Sequence, residues 1–193
     1  MSPFTHFFIS WSVANTGRLT RKDRFLITVS GVAPDMDGLG IVADLLTKNT
    51  ANPLNWWDRF HHVFGHCLGF GLCAAILAFS LGTHRRTAAL LALLAFHLHL
   101  LGDLAGARGP DGYQWPIPYL LPFSDSLRLA WQGQWALNAW PNFLITALAI
   151  TVSFYLAWLQ GFSFVGLFSQ IADRQFVAVL RSRFGLPKEK LKT

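Results

Sequence analysis

Charge is scarce in this chain. Only 13% of its 193 residues are Asp, Glu, Lys or Arg, about half the share of an ordinary soluble domain. Of its 10 acids a single one, Glu189, is glutamate. Glu is a common acid of solvated helix faces, so little of the chain is solvated helix surface. With 52% hydrophobic residues, this composition excludes a disordered chain, a polar linker and a coiled coil. Cysteine is scarce too. Cys67 and Cys73 lie six apart in a helix-like run and face different ways, so a disulfide between them is geometrically poor. Strand-type alternation, internal repeats and low-complexity tracts are missing, which leaves an all-α class. The opening MSPFTHFF has no basic region, so no cleaved signal peptide is expected.

What is present is apolar helix, rich in aromatics (17 Phe, 8 Trp). Val63 to Thr83 is uncharged and long enough to cross a hydrocarbon core of about 30 Å at about 1.5 Å per residue. His84-Arg85-Arg86 ends it, and Thr87 to Gly102 follows as a second apolar helix. Leu129 to Ala172 holds no charge, which fits one span near Pro141 to Gln160 plus an apolar extra segment. Phe162 to Phe184 reads as a basic amphipathic helix along the membrane interface. Two short pieces, Phe7 to Asn15 and Phe25 to Pro34, do not span alone and are expected to form a hairpin against the longer helices. The expectation is a multi-helix, membrane-embedded bundle over residues 1–160, followed by an amphipathic basic segment over 161–193, with membrane lipids as neighbours.

The net charge of +6 is unevenly placed, and the stretch from Asp173 to Thr193 alone supplies +4 of it. No nucleic-acid motif or aromatic-basic platform accompanies that tail, so no nucleic-acid partner is expected. Arg18, Arg21, Lys22 and Arg24 form one basic cluster, Arg85 and Arg86 a second, and the last six Lys/Arg a third. Alternating the helices puts these twelve on one side of a membrane and leaves only Lys48, Arg59, Arg108 and Arg128 for the other. The positive-inside rule then predicts a cytoplasmic C-terminus.

The same alternation gathers His6, Asp35, Asp37, His61, His62, His66, His99 and Asp103 near the opposite helix ends. Ionisable groups beside apolar spans are costly and point to function. Carboxylates and imidazoles crowded together repel or protonate unless a cation holds them, and they are donors that Zn²⁺, Mn²⁺ or Fe accept. His99 and Asp103, four apart, share one helix face. Taken alone, that pair is as well read as a His–Asp pair satisfying each other. His62 and His66 have the same spacing; His61 shares a face with His66 only if it sits in the turn before a helix. Asp35 and Asp37, in Ala-Pro-Asp-Met-Asp-Gly-Leu, are expected on extended backbone that points both acids one way, although alone they read as an Asp-rich turn. His6 alone would be a capping or snorkelling residue, His97 a core or lipid-facing one, His84 a solvated one, and the Trp residues an interfacial belt.

These residues resemble a known family. Thr5-His6, Pro34-Asp35-Met36-Asp37, the pair His61 and His66, and His99-Leu-Leu-Gly-Asp103 occur in that order, followed by Gln114-Trp115-Pro116 and Leu121-Pro122-Phe123. The pattern is similar to the YdjM-like membrane-bound metal-dependent hydrolases, a family distantly similar to zinc-dependent phospholipase C and zinc nucleases. It covers roughly Ser2 to Phe123, and it implies a bacterial-type inner membrane. The resemblance implies a ligand set of His6, Asp35, Asp37, His61, His66, His99 and Asp103, and it prefers His61 where helical spacing prefers His62. Departures from the family are His62 where it often has Arg, Cys67 where it has Ser, and Gly38 where it has His.

The implied chemistry is metal-assisted hydrolysis with two or three cations, zinc first and Mn or Fe next, acting on a phosphoester such as a lipid phosphate. Asp35, Asp37 and His66 are the expected catalytic residues. A structural metal site or partner surface on a non-catalytic membrane protein is the rival reading. A metal or proton transporter is third, and it predicts His97 facing the bundle interior as a relay step.

Overall fold

The computed structural model describes residues 1–109 and 111–187. Lys188, Lys190 and Lys192 of the basic tail lie outside the described residues. Within those residues the chain is helical and no strand is formed: α1 (Pro3–Val13), α2 (Arg21–Ser30), a 3-10 segment (Ala33–Leu39), α3 (Gly40–Thr47), α4 (Trp56–Phe60), α5 (Leu68–Leu81), α6 (Arg85–Gly106), α7 (Trp140–Gln160), a 3-10 turn (Phe164–Leu167) and α8 (Gln170–Phe184).

Helix α6 is the centre, and α1, α2 and α5 pack on it. Its buried positions Ala88, Ala92, Ala95, Phe96, His99 and Asp103 recur at helical spacing. The small residues let neighbours close in, as at Ala78 of α5 and Leu26 of α2. Gly71 of α5 lies on the Phe96 ring, where a Cβ would come within 2.5 Å. Both α6 (22 residues) and α7 (21 residues) are long and apolar enough to cross a membrane. A third candidate is the pair Arg21–Ser30 and Ala33–Thr47, bent by 49° at the break between them.

The expected span over Val63 to Thr83 is corrected. Its helix, α5, begins only at Leu68 and has 14 residues, about 21 Å at ~1.5 Å per residue. Residues 61–67 are instead a turn, and the first amides of α5 are taken by a distant loop: Leu68 and Gly69 donate to the carbonyls of Tyr119 and Leu121. The Asp35–Asp37 segment is corrected as well, being a 3-10 helix rather than extended. The stretch from Phe162 to Phe184 is broken rather than one helix. Ser169 caps α8, and Asp173 in its first turn accepts bonds from the backbone and hydroxyl of Ser163.

Successive long helices run in opposite directions, so the start of α1, the end of α2, the start of α5 and the end of α6 share one end of the bundle. At the other end Asp23 ties two basic turns together. It caps α2 through Thr20 in a capping box and accepts from the Thr83 and His84 amides and the His84 ring. His84 is thus half-exposed and bonded to Asp23 rather than free in solvent. Arg21 reaches the carbonyl of Leu167, just before α8. Arg85 and Asp103 stand 18 residues apart on α6, roughly 27 Å at ~1.5 Å per residue.

Candidate metal centre

Four chain segments bring the candidate donors together. Ser2 caps α1 and Pro3 opens it, which sets His6 on the helix face turned to α6. Gly31 ends α2 in close contact with α1 and α6: a Cβ there would meet Ser10 Oγ at 1.9 Å and Ala95 Cβ at 3.2 Å. The following 3-10 turns carry Asp35 and Asp37 beside the end of α6. His61 closes α4 with extended backbone, and His62 takes a left-handed conformation (φ 61°), uncommon for a residue with a side chain. That turn aims both imidazoles and His66 inward. Gly65 makes it possible, since its backbone presses on Pro34 so closely that a Cβ would lie 2.2 Å from the Pro34 oxygen.

Three donor atoms form a triangle. His66 Nε2 is 3.0 Å from His99 Nε2 and 3.2 Å from Asp103 Oδ2, and His99 Nε2 is 3.0 Å from the same Asp103 oxygen. Metal–nitrogen and metal–oxygen bonds of about 2.0–2.1 Å in a tetrahedron give an edge of about 3.3 Å. Each imidazole is fixed from behind. His99 Nδ1 donates to the Gly31 carbonyl at 2.9 Å, and His66 Nδ1 to Asp37 Oδ2 at 3.0 Å. In the neutral rings that leaves both Nε2 lone pairs facing each other and a carboxylate, an arrangement that calls for a cation or a proton between them.

The remaining residues surround this triangle. His6 Nε2 bonds Asp103 Oδ1 at 3.1 Å, and its ring stacks on His99 at 3.8 Å. Asp35 Oδ1 is 3.9 Å from His99 Nε2. His6, Asp35, His99 and Asp103 each offer an atom within 4.8 Å of the others, and so do His62, His66 and Asp103. The two groups share Asp103. The α-amino group of Met1 also contacts Asp103 Oδ1.

Five of the seven residues expected from sequence therefore fall inside these groups: His6, Asp35, His66, His99 and Asp103. Asp37 and His61 lie just outside. Asp37 bonds His61 Nδ1 at 3.1 Å and His66 Nδ1 at 3.0 Å, and accepts from the Gly65 amide. His62, left out of the expected set although its helical spacing pointed to it, lies inside. His97 stands apart from both groups, donating to the Leu93 carbonyl and accepting from Tyr119.

Electrostatics follow from burial and these bonds. Burial, helped by the nearby His66, depresses His62 to about 3 and keeps it neutral. Burial also lowers His6, against the pull of Asp103. For His66 burial works in the same direction, but hydrogen bonds to Asp103 and Asp37 outweigh it and raise the group to about 9. Six buried side-chain atoms find no hydrogen-bond partner among the described residues, and two of them, Asp35 Oδ2 and His62 Nδ1, belong to the donor groups, as open donors for a cation would. A cavity of about 470 Å³ reaches Asp35, His61 and His62 from outside, so the site is open to a ligand on that side.

The fold and these residues define a class: a helical protein with two or three membrane-span candidates and buried His/Asp groups that could hold a metal ion. No protein-family model, curated protein or solved structure matches this chain.

Proposed function

We propose that the chain is an integral membrane, metal-dependent hydrolase of phosphoesters, of the YdjM-like kind that its motifs resemble. The observation that carries the reading is the donor triangle of His66, His99 and Asp103, with the Nδ1 atoms of both rings anchored. Its edges suit zinc, and Mn or Fe take the same donors. When bound, such a cation supplies Lewis acidity to an ester oxygen and lowers the pKa of water.

The protein's own residues do the rest. Two groups of donors meet at Asp103 and would hold one or two cations: His6, Asp35 and His99 on one side, His62 and His66 on the other, with His66 and His99 adjoining at Asp103 Oδ2. Asp37 fixes the tautomer of His66 and steers His61. Asp35, whose Oδ2 has no hydrogen-bond partner among the described residues, would be free to hold the cation or to accept a proton from water. Pro3, Ala107 and Leu137 line the apolar approach to Asp35. The uneven division of basic residues supports a site on the outer membrane face and a C-terminus in the cytoplasm.

The test is metal analysis of purified protein beside His99→Ala, together with hydrolysis of bis(p-nitrophenyl) phosphate by the native chain and Asp35→Asn. Bound zinc that is lost in His99→Ala, and hydrolysis that is lost in Asp35→Asn at unchanged melting temperature, are expected. Metal whose loss in either variant collapses the fold, with no hydrolysis by the native chain, would make the site structural.

A further inference from the structure

Two cavities of unlike chemistry meet at the candidate centre. The first, about 470 Å³, has apolar walls from Pro3, Leu39, Ala107 and Leu137 and reaches Asp35. The second, about 660 Å³, is lined by Asp111, Tyr113 and Arg128. Both lie in the size range of small-molecule sites, roughly 300–1,000 Å³. They share Trp57, His61, His62, Gly109 and Trp115. Trp57 lies flat on His61 at 3.9 Å, and Trp115 stands at 87° to Trp57 with its centre 6.2 Å away. The aromatic wall therefore divides the space, and the imidazoles of His61 and His62 stand in the division.

A ligand of uniform polarity suits only one side. A purely polar ester would leave the apolar cavity unfilled, and a purely apolar one would strip water from Arg128 and Asp111 without replacing it. The outer rim also matters. Leu39 and Leu137 are 59% and 50% exposed, and Met36 and Leu46 continue the exposed apolar surface from Leu39 along the 3-10 segment and α3. That surface belongs to the bent candidate span, which in a membrane would give the apolar cavity an opening toward hydrocarbon. The polar cavity opens instead beside the ion pair of Arg128 with Asp125, at 2.8 Å.

We propose that the site binds an amphiphile. Its alkyl or acyl chain lies against Leu39, Ala107 and Leu137, its charged head lies against Arg128 and Asp111, and its phosphate rests at His61 and His62. The phosphate's place rests on the hydrolase reading; the chain and head positions rest on the two cavities.

The probe is dodecylphosphoserine carrying a diazirine at the chain end, its head group offering a carboxylate to Arg128 and an ammonium to Asp111, applied to zinc-loaded protein in lipid nanodiscs and mapped by peptide mass spectrometry. Label is expected on the peptides holding Leu39 and Leu137. Leu137→Trp, or Leu39→Trp if the first variant melts early, should cut that label at least fivefold at unchanged metal content. Arg128→Ala should raise the probe concentration for half-maximal labelling about tenfold. Label confined to the exposed face of α7, or undiminished in both Trp variants, would overturn the proposal. Label at Leu39 and Leu137 in protein that binds no zinc would keep the amphiphile site and remove the hydrolase reading.

Discussion

The Nε2 atoms of His66 and His99 face each other at 3.0 Å, and each ring is committed through Nδ1 to an acceptor behind it. Two neutral imidazoles held this way cannot both keep their lone pairs idle. In the metal-free protein the proton sits on His66, whose pKa is raised to about 9 by Asp103 and Asp37 against the effect of burial.

Zinc uptake should therefore release a proton. Below pH 9 the cation displaces it, so apparent affinity should rise about tenfold per pH unit up to that point and flatten above it. Without metal the sign reverses for stability. The raised pKa stabilises the fold fully below the unfolded value of about 6.5, and the gain fades as pH climbs through 9. Calorimetric titration in buffers of different ionisation heat checks the first expectation and melting curves from pH 6 to 10 the second. Zinc binding without proton release at pH 7 would contradict both.

Asp37 and Asp103 should differ in kind. Asp37 touches the centre through His66 and His61, so Asp37→Asn should weaken zinc by about 10–100-fold, the usual loss when a hydrogen-bond partner behind a ligand is changed. Asp103→Asn should abolish binding at both positions. Equal losses in the two variants would make Asp37 a direct ligand.

His62 should control one of two metal equivalents. It belongs to the group with His66 and Asp103 and not to the group with His6, Asp35 and His99. His62→Ala should lower bound zinc from two per chain to one, whereas His61→Ala should leave the count unchanged. Metal analysis after gel filtration decides between them.

Asp23 should matter for stability and not for metal. It is buried and accepts bonds from Thr20, Thr83 and His84, so Asp23→Ala leaves several donors without a partner. The cost should be about 2–4 kcal/mol, read as a lower melting temperature at unchanged zinc content. A variant as stable as the parent would show that water replaces the lost acceptor.

Much of the centre is legible in the sequence because helices keep their spacing. His99 and Asp103 sit four apart on α6 and point together as that spacing requires. The alternation of helix directions was equally readable, and it alone predicts that His6, Asp35 and His66 share an end with them. The turn before α5 was not readable. An uncharged run from Val63 carries no mark of where its helix starts, and the start at Leu68 is set by amide bonds to Tyr119 and Leu121, more than fifty residues away. His62 is a different case: helical spacing points to it and the family resemblance prefers His61, while its inward aim comes from a left-handed backbone angle in a turn and not from a helix. Asp35 and Asp37 show a third case. A 3-10 segment turns them to different partners, Asp35 toward His99 and Asp37 toward His61 and His66, where extended backbone would have aimed them together.

Gly65 carries a consequence for the order in which the centre is made. Its backbone lies against Pro34 with no room for a Cβ, and that touch, with the Asp37 bonds to His61, Gly65 and His66, sets the strip bearing the two aspartates against the strip bearing three histidines. The chain's own contacts hold the donors together, so a cation bound there would enter a finished mould instead of drawing loose strands around itself. A methyl group at position 65 would prise the two strips apart without removing one ligand. Such a chain would still be helical and would still own every histidine and aspartate, yet it would have nowhere to put the metal.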